Sequence, residues 1–321
     1  MAGAKNKPTG PSNFLLWLLH RMYTVRITIL WVMTVLLVCV FLIWGYVDQF
    51  CEHCVELDNQ KQMAGGDGRI QQRDQWPTAS SNSCMTVNFA EEGSQSLVAL
   101  ASYPGSGNTW LRHLLEHSTG IYTGSVYIDR RLKEGGFRGE SVNFMKKSVL
   151  GVKMHRCSKN ELGKFEALIL LVRNPYHAMI SEWHRYHSTG HVNKVDEDTF
   201  HTKEWEDFVE EESSHWERMM RNCLKDSLKT KVVFYENLQT NLELELANLH
   251  LFLRVPIDIE RLKCVKGNSE GKFHRGADQE FDPYTEEMVA KINKRILSAA
   301  VALKERANVK FPVDYRKLPG S

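Results

Sequence analysis

The sequence has almost no net charge: among 321 residues, 41 Lys and Arg stand against 39 Asp and Glu, a formal +2. That near-balance excludes the broad basic surface that long nucleic-acid contacts require, so no nucleic-acid partner is expected and any phosphate recognition must be local. No internal repeat and no heptad pattern is present, which sets aside solenoids and coiled coils. No Asn-x-Ser/Thr sequon occurs. Cysteines number seven, and the close pair Cys51 and Cys54 has no second Cys or His pair beside it, so a zinc site is not expected. With 42% hydrophobic and 25% charged residues, the chain is neither collagen-like nor wholly disordered and can bury a core.

One stretch lacks charge altogether. From Ile27 to Val47 there is no Asp, Glu, Lys, Arg or His, and a helix of about 21 residues at roughly 1.5 Å each just spans a hydrocarbon core. A cleavable signal peptide would end a shorter apolar region in small residues, and Trp44, Gly45 and Tyr46 offer no such site. Lys5, Lys7, Arg21 and Arg26 precede the span, while Asp48, Glu52, Glu56 and Asp58 follow it. Positive charge on the N-terminal side predicts a type II, single-pass arrangement. Residues 1–26 form a cytosolic tail, 27–47 the span, 48–93 a stem, and 94–321 a domain on the luminal or extracellular side. Cys39 falls in the span, leaving six cysteines where disulfides are permitted, with a pairing that spacing cannot settle. Cys51 and Cys54 are placed to bridge two chains, to bridge each other, or to carry palmitate. A homodimer, disulfide-linked or non-covalent, is therefore one expectation. The stem is rich in Gly, Ser, Gln and Asp and cannot bury much.

Beyond the stem, short apolar runs alternate with helical patterns. Leu97 to Ala101, Val149 to Val152, Leu168 to Val172 and Val232 to Phe234 read as buried strands. Helical stripes follow at Leu111, Leu114 and Leu115, after Pro175, and at Leu242, Leu246, Leu249 and Phe252. This alternation predicts an α/β fold: a P-loop-NTPase-like parallel sheet flanked by helices. The segment with Trp205, Phe208, Val209, Trp216, Met219 and Met220 is helical, its aromatic stripe a matter of core packing.

The first strand runs into Ser102-Tyr103-Pro104-Gly105-Ser106-Gly107-Asn108-Thr109-Trp110 and then into a helix. Backbone N–H groups in such a loop, together with the helix N-terminus, converge on an anion. A nucleoside triphosphatase would need Lys before Thr109 and Gly at 102, where this chain has Asn108 and Ser102. It would also need a strand-end Asp for magnesium, and the strand Leu168 to Val172 ends in Arg173. Arg cannot ligate a metal, but its planar fork suits a phosphate monoester. The pattern predicts a nucleotide with an extra phosphate, and no metal.

These residues together resemble the sulfotransferase superfamily, which uses 3′-phosphoadenosine 5′-phosphosulfate as donor. The glycine loop looks like that family's 5′-phosphosulfate loop. Arg173-Asn174-Pro175 with Ser181 has the spacing of its 3′-phosphate motif, Lys153-Met154-His155 is similar to its Lys-Thr-His element, and Tyr235-Glu236-Asn237 resembles the stretch near its adenine. Pro-Gly-x-Gly-Asn-Thr-Trp, Tyr122 to Ser125 and Phe281 to Thr285 resemble more narrowly the WSC-domain-containing sulfotransferase-like (WSCD) family, though the stem is too short for WSC modules.

The resemblance implies a donor site built from Gly105, Ser106, Gly107, Asn108, Thr109 and Trp110, with Arg173 and Ser181 on the 3′-phosphate and Tyr235 near the base. Arg275, in the basic stretch 272–276, would close over the same phosphate. It implies His155 as the general base and Lys153 as stabiliser of the bridging oxygen, with a glycan or glycoprotein hydroxyl as acceptor in the Golgi membrane or at the cell surface. The loops 127–143 and 189–201 would line the acceptor. The chain departs from the family at Gly105, where most members carry Lys or Arg. That departure keeps open a catalytically inactive binding or scaffold module. A metal-dependent kinase is disfavoured by the missing loop Lys and strand-end Asp.

Overall fold

The computed structural model describes residues 34, 86–187, 195–225, 228–270 and 282–316. The chain divides into two units, residues 1–75 and 76–321, and the second carries the fold. Among the described residues no helix is long and apolar enough to cross a membrane. The predicted span, of which Thr34 alone is described, lies otherwise outside them, as do Cys51, Cys54 and Arg275.

Five parallel strands form one sheet: β1 (Val98–Ser102), β2 (Gly124–Ser125), β3 (Val152–Met154), β4 (Ala167–Val172) and β5 (Lys229–Phe234), in the order β2-β3-β1-β4-β5. The interposed helices are α1 (Asn108–Thr119), α2 (Arg130–Glu134), α3 (Lys159–Leu162), α4 (Pro175–His187), α5 (Lys203–Cys223), α6 (Tyr235–Thr240), α7 (Leu242–Leu253), α8 (Ile259–Gly267) and α9 (Glu286–Ala307).

The central strand β1 is buried along its whole length, and its alternation feeds two cores. Ala99 and Ala101 join Leu168, Leu170, Val172, Val232 and Phe234 against Ala178, Met179 and Trp183 of α4, Trp205, Val209 and Trp216 of α5, and Ile292, Ile296 and Leu303 of α9. Val98 and Leu100 join Ile169, Leu171 and Val233 against Leu111, Leu114 and Leu115 of α1 and Leu246 and Leu249 of α7. The expected parallel sheet covered on both faces is present, and the aromatic stripe of α5 is core, with Trp205 and Trp216 at or below 1% exposure.

Two local differences have physical causes. Val149 and Leu150 are buried but lie in a bend ahead of β3, because the Leu150 N–H donates to Tyr122 O rather than to a β1 partner. Strand β5 begins three residues before the apolar run, since Lys229, Thr230 and Lys231 pair with Ala167, Leu168 and Ile169 while remaining partly exposed. Residues 86–95 hydrogen-bond to the domain, with Asn88 N donating to Gly120 O and Ala90 N to Ser148 O. Cys157, just past β3, and Cys223, the last residue of α5, form a disulfide.

Candidate functional site

Strand order fixes where a ligand can sit. From β1 the chain builds β2 and β3 on one side and then crosses to β4 and β5 on the other, so the crevice lies at the carboxyl ends of β1, β3 and β4. His155, Arg173 and Tyr235 are the residues immediately after β3, β4 and β5, and the glycine loop follows β1. The parallel register brings these four sequence-predicted elements to one edge.

The loop owes its shape to its glycines. Gly105 (φ 76°) and Gly107 (φ 89°) lie in the left-handed region, where L side chains are strained. A Cβ on Gly105 would stand 2.3 Å from Ala178 O and 3.2 Å from Glu182 Cβ, and one on Gly107 would stand 2.6 Å from the Tyr235 ring. The loop is thus pressed between α4 and Tyr235. Gly107 caps α1 without any side-chain cap, so the first amides of that helix, at Asn108, Thr109 and Trp110, face the loop with the positive end of the helix dipole behind them.

Three buried side-chain polar atoms lack a hydrogen-bond partner among the described residues, and all three belong to this site: Ser106 Oγ, Asn108 Oδ1 and Arg173 Nε. Buried polar groups are nearly always satisfied, so three orphans close together make this the candidate place for a polar ligand to bind. Ser106 Oγ–H and Arg173 Nε–H are donors and ask for an anion; Asn108 Oδ1 is an acceptor and asks for a donor. Asn108 itself is tied to the strand, its Nδ2 donating to Leu100 O at 2.9 Å and to Ser102 Oγ at 3.1 Å. Arg173 Nη1 donates to Gly105 O at 2.8 Å, and its guanidinium lies 4.4 Å from the Tyr235 ring centroid. Trp110 packs on the same ring at 5.1 Å. Ser181 lies half-buried in the second turn of α4, next to Glu182.

On the other flank, His155 Nδ1–H donates to Ser102 O at 2.8 Å. That bond fixes the tautomer and leaves Nε2 as an acceptor. The His155 backbone N–H donates to the Tyr127 hydroxyl at 3.1 Å, and the two rings stack at 5.7 Å. Burial first, and the Lys153 cation second, push the imidazole down to about 3. Lys153, nearly buried on β3, is itself lowered to about 8, first by burial and then by Arg112, against the pull of Glu140 and Asp129. Arg185 depresses both groups as well. The field here is positive, and a bound anion would relieve it.

Sequence reasoning missed the network behind Lys153. Arg112 and Glu140 form an ion pair with both side chains fully buried. Arg112 Nε donates to Thr123 Oγ1 at 2.7 Å, and its guanidinium lies over Phe137. Glu116 accepts from Thr123 N at 3.0 Å, and burial pushes its carboxyl up to about 7. Arg112 and Glu116, spaced i and i+4 opposite the Leu111–Leu115 stripe, look in the sequence like an ordinary solvated helix face.

No family model matches the chain. Among curated proteins it is 40% identical over 226 residues to a WSCD family member of Drosophila pseudoobscura pseudoobscura, a match covering 68% of this chain and 71% of the relative. It is 40% identical over 214 residues to one of Drosophila melanogaster, covering 65% and 67%. A third, of Aedes aegypti, is 38% identical over 212 residues, covering 64% and 66%. Among solved structures the chain is similar to mouse sulfotransferase SULT7A1 complexed with PAP, at a TM-score of 0.44 and 15% identity over 68% of this chain and 90% of that one. It is also similar to retinol dehydratase in complex with androsterone and inactive cofactor PAP, at a TM-score of 0.44 and 16% identity over 67% and 82%.

Proposed function

The chain belongs to the WSCD family, and from that membership and the crevice just described we propose that it transfers a sulfuryl group from 3′-phosphoadenosine 5′-phosphosulfate to a hydroxyl of a glycan or glycoprotein. The observation that carries this is the set of partnerless buried atoms: Ser106 Oγ and Arg173 Nε are donors without a partner, near a helix N-terminus that no side chain caps. These residues fit a phosphate-bearing donor. Ser106 and the amides at Asn108 and Thr109 would hold the 5′ end, Arg173 and Ser181 the 3′-phosphate, and Trp110 and Tyr235 the base, with Arg275 closing over the 3′-phosphate.

When bound, the donor supplies the sulfuryl group and keeps the electron pair of the broken sulfur–oxygen bond on its 5′-phosphate. The chain's part is positioning and charge. His155 Nε2, made an acceptor by the Nδ1–H bond to Ser102 O, would take the acceptor hydroxyl's proton as the new oxygen–sulfur bond forms. Its imidazole is a weak base because it is buried and lies near the Lys153 cation, and the negative charge of a bound donor would raise it. Lys153 would face the bridging oxygen.

Membrane attachment by the span 27–47, with the domain in the Golgi lumen, agrees with the disulfide between Cys157 and Cys223, since such bonds persist in oxidising compartments. The cell surface would satisfy the same chemistry. A second reading, a silent module that binds the donor without turnover, is favoured by one feature: the loop has Gly105 where a cation would meet the leaving charge.

The deciding experiment measures transfer of labelled sulfuryl from the donor to a mixed glycoprotein pool by the full-length chain in detergent. Incorporation is expected, with His155→Ala reducing it by about 10²- to 10⁴-fold. Incorporation unchanged by that substitution would remove His155 from the base role. None at all, by a chain that binds the nucleotide, would favour the silent module.

A further inference from the structure

The packing around Gly105 explains why no side chain can stand there. A Cβ at Gly105 would run into Ala178 O and meet Glu182 N at 3.0 Å and Glu182 Cβ at 3.2 Å. The loop therefore rests on the turn of α4 that carries Glu182. One turn further, Arg185 grips Glu182 through both carboxylate oxygens, Nε donating to Oε2 at 2.7 Å and Nη2 to Oε1. Glu182's side chain is 7% exposed and Arg185's 46%, so the carboxylate is a buried anchor and the guanidinium opens to solvent one turn along α4 from the contact with Gly105. A bidentate grip fixes the plane of the fork, and two of about five N–H groups are used, leaving others for a second anion.

We propose that Arg185 supplies, at the 5′ end of the donor, the positive charge that Gly105 cannot carry, with Glu182 as the residue that positions it. The inference rests on the donor reading above and deepens it: the charge missing from the loop comes from the helix on which the loop lies. The depression of both Lys153 and His155 by Arg185 agrees, since it sets the guanidinium within electrostatic reach of the two groups that flank the reacting end. Leaving-group charge gathers on the 5′-phosphate oxygen as the sulfur–oxygen bond breaks, and a fixed cation beside that oxygen stabilises it without reorganisation.

The test is calorimetric and needs no turnover. The full-length chain in detergent is titrated with 3′-phosphoadenosine 5′-phosphate and with adenosine 3′-phosphate, which lacks the 5′ group, using the unmodified protein, Arg185→Gln and Arg185→Lys. Arg185→Gln is expected to weaken binding of the bisphosphate by roughly 10- to 100-fold, the range for losing a charged hydrogen bond. Affinity for adenosine 3′-phosphate should stay within about twofold, and Arg185→Lys should recover part of the loss. An Arg185→Gln chain that binds the bisphosphate as the unmodified chain does, or that loses both ligands equally, overturns the assignment. If the folded unmodified chain binds neither ligand, the donor reading itself has failed and this inference falls with it. The unmodified arm separates that outcome from the other two.

Discussion

Gly105 and Gly107 show how tightly single residues define the site: each adopts left-handed backbone, and each faces a neighbour that a methyl group would strike. His155 is the complementary case, a side chain held by one carbonyl on Ser102 and one ring on Tyr127. Its pKa falls from an ordinary 6.5 to about 3 because it is buried near Lys153, which makes stability depend on pH. Between those values the unfolded chain binds a proton that the native chain does not, so stability should fall as pH drops through the window. Above about 6.5 both states are neutral and the contribution vanishes. Denaturant midpoints from pH 7 to 4 should therefore decline more steeply for the unmodified protein than for His155→Gln; parallel declines would show that the imidazole is not held neutral. Of these residues, the glycines and Arg173 were legible in the sequence from the loop and strand-end pattern, and His155 only through the resemblance of Lys153-Met154-His155 to the family's Lys-Thr-His element. Tyr127 and Arg185 were not: their parts in the site arise from contacts across 28 residues to His155 and with the helix turn beneath the loop.

At the scale of elements, the sheet was legible and the support under it was not. The apolar runs of β1 and β4 fall within one residue of their observed bounds, because a strand buried on both faces is continuous hydrophobic sequence. The two-residue β2 has no apolar run to reveal it, and the polar start of β5 hides in Lys229, Thr230 and Lys231. Least visible is the docking of α1 onto the 3₁₀ turn Arg138–Ser141 through Arg112 and Glu140. Nothing in a charged residue's identity announces burial; only the pairing does. Breaking a buried pair leaves an uncompensated charge, so Glu140→Ala should destabilise the domain by about 3–5 kcal/mol. Replacing both partners by apolar residues of similar size, Arg112→Met with Glu140→Leu, should cost less. Chemical denaturation checks both, and a Glu140→Ala cost under about 1 kcal/mol would show that the pair does not hold α1.

At the scale of the whole molecule, several cationic groups act on one place at the carboxyl edge of the sheet. Lys153, Arg112 and Arg185 act on His155 from around it, and Arg173 closes the other flank against Gly105 O. The parallel order β2-β3-β1-β4-β5 makes this convergence possible by ending four strands of the domain at the site. Membership of the WSCD family and this convergence both support the proposal that backbone amides and Arg173 bind a nucleotide donor here. The most direct test is calorimetric titration of the full-length chain with 3′-phosphoadenosine 5′-phosphate in the presence of a chelator, for the unmodified protein and for Arg173→Ala. Binding should survive chelation and fall by at least about 100-fold in Arg173→Ala, where a charged hydrogen-bonding group is lost from a phosphate. Absence of binding by the folded unmodified chain, or binding untouched by the loss of Arg173, would contradict the proposal.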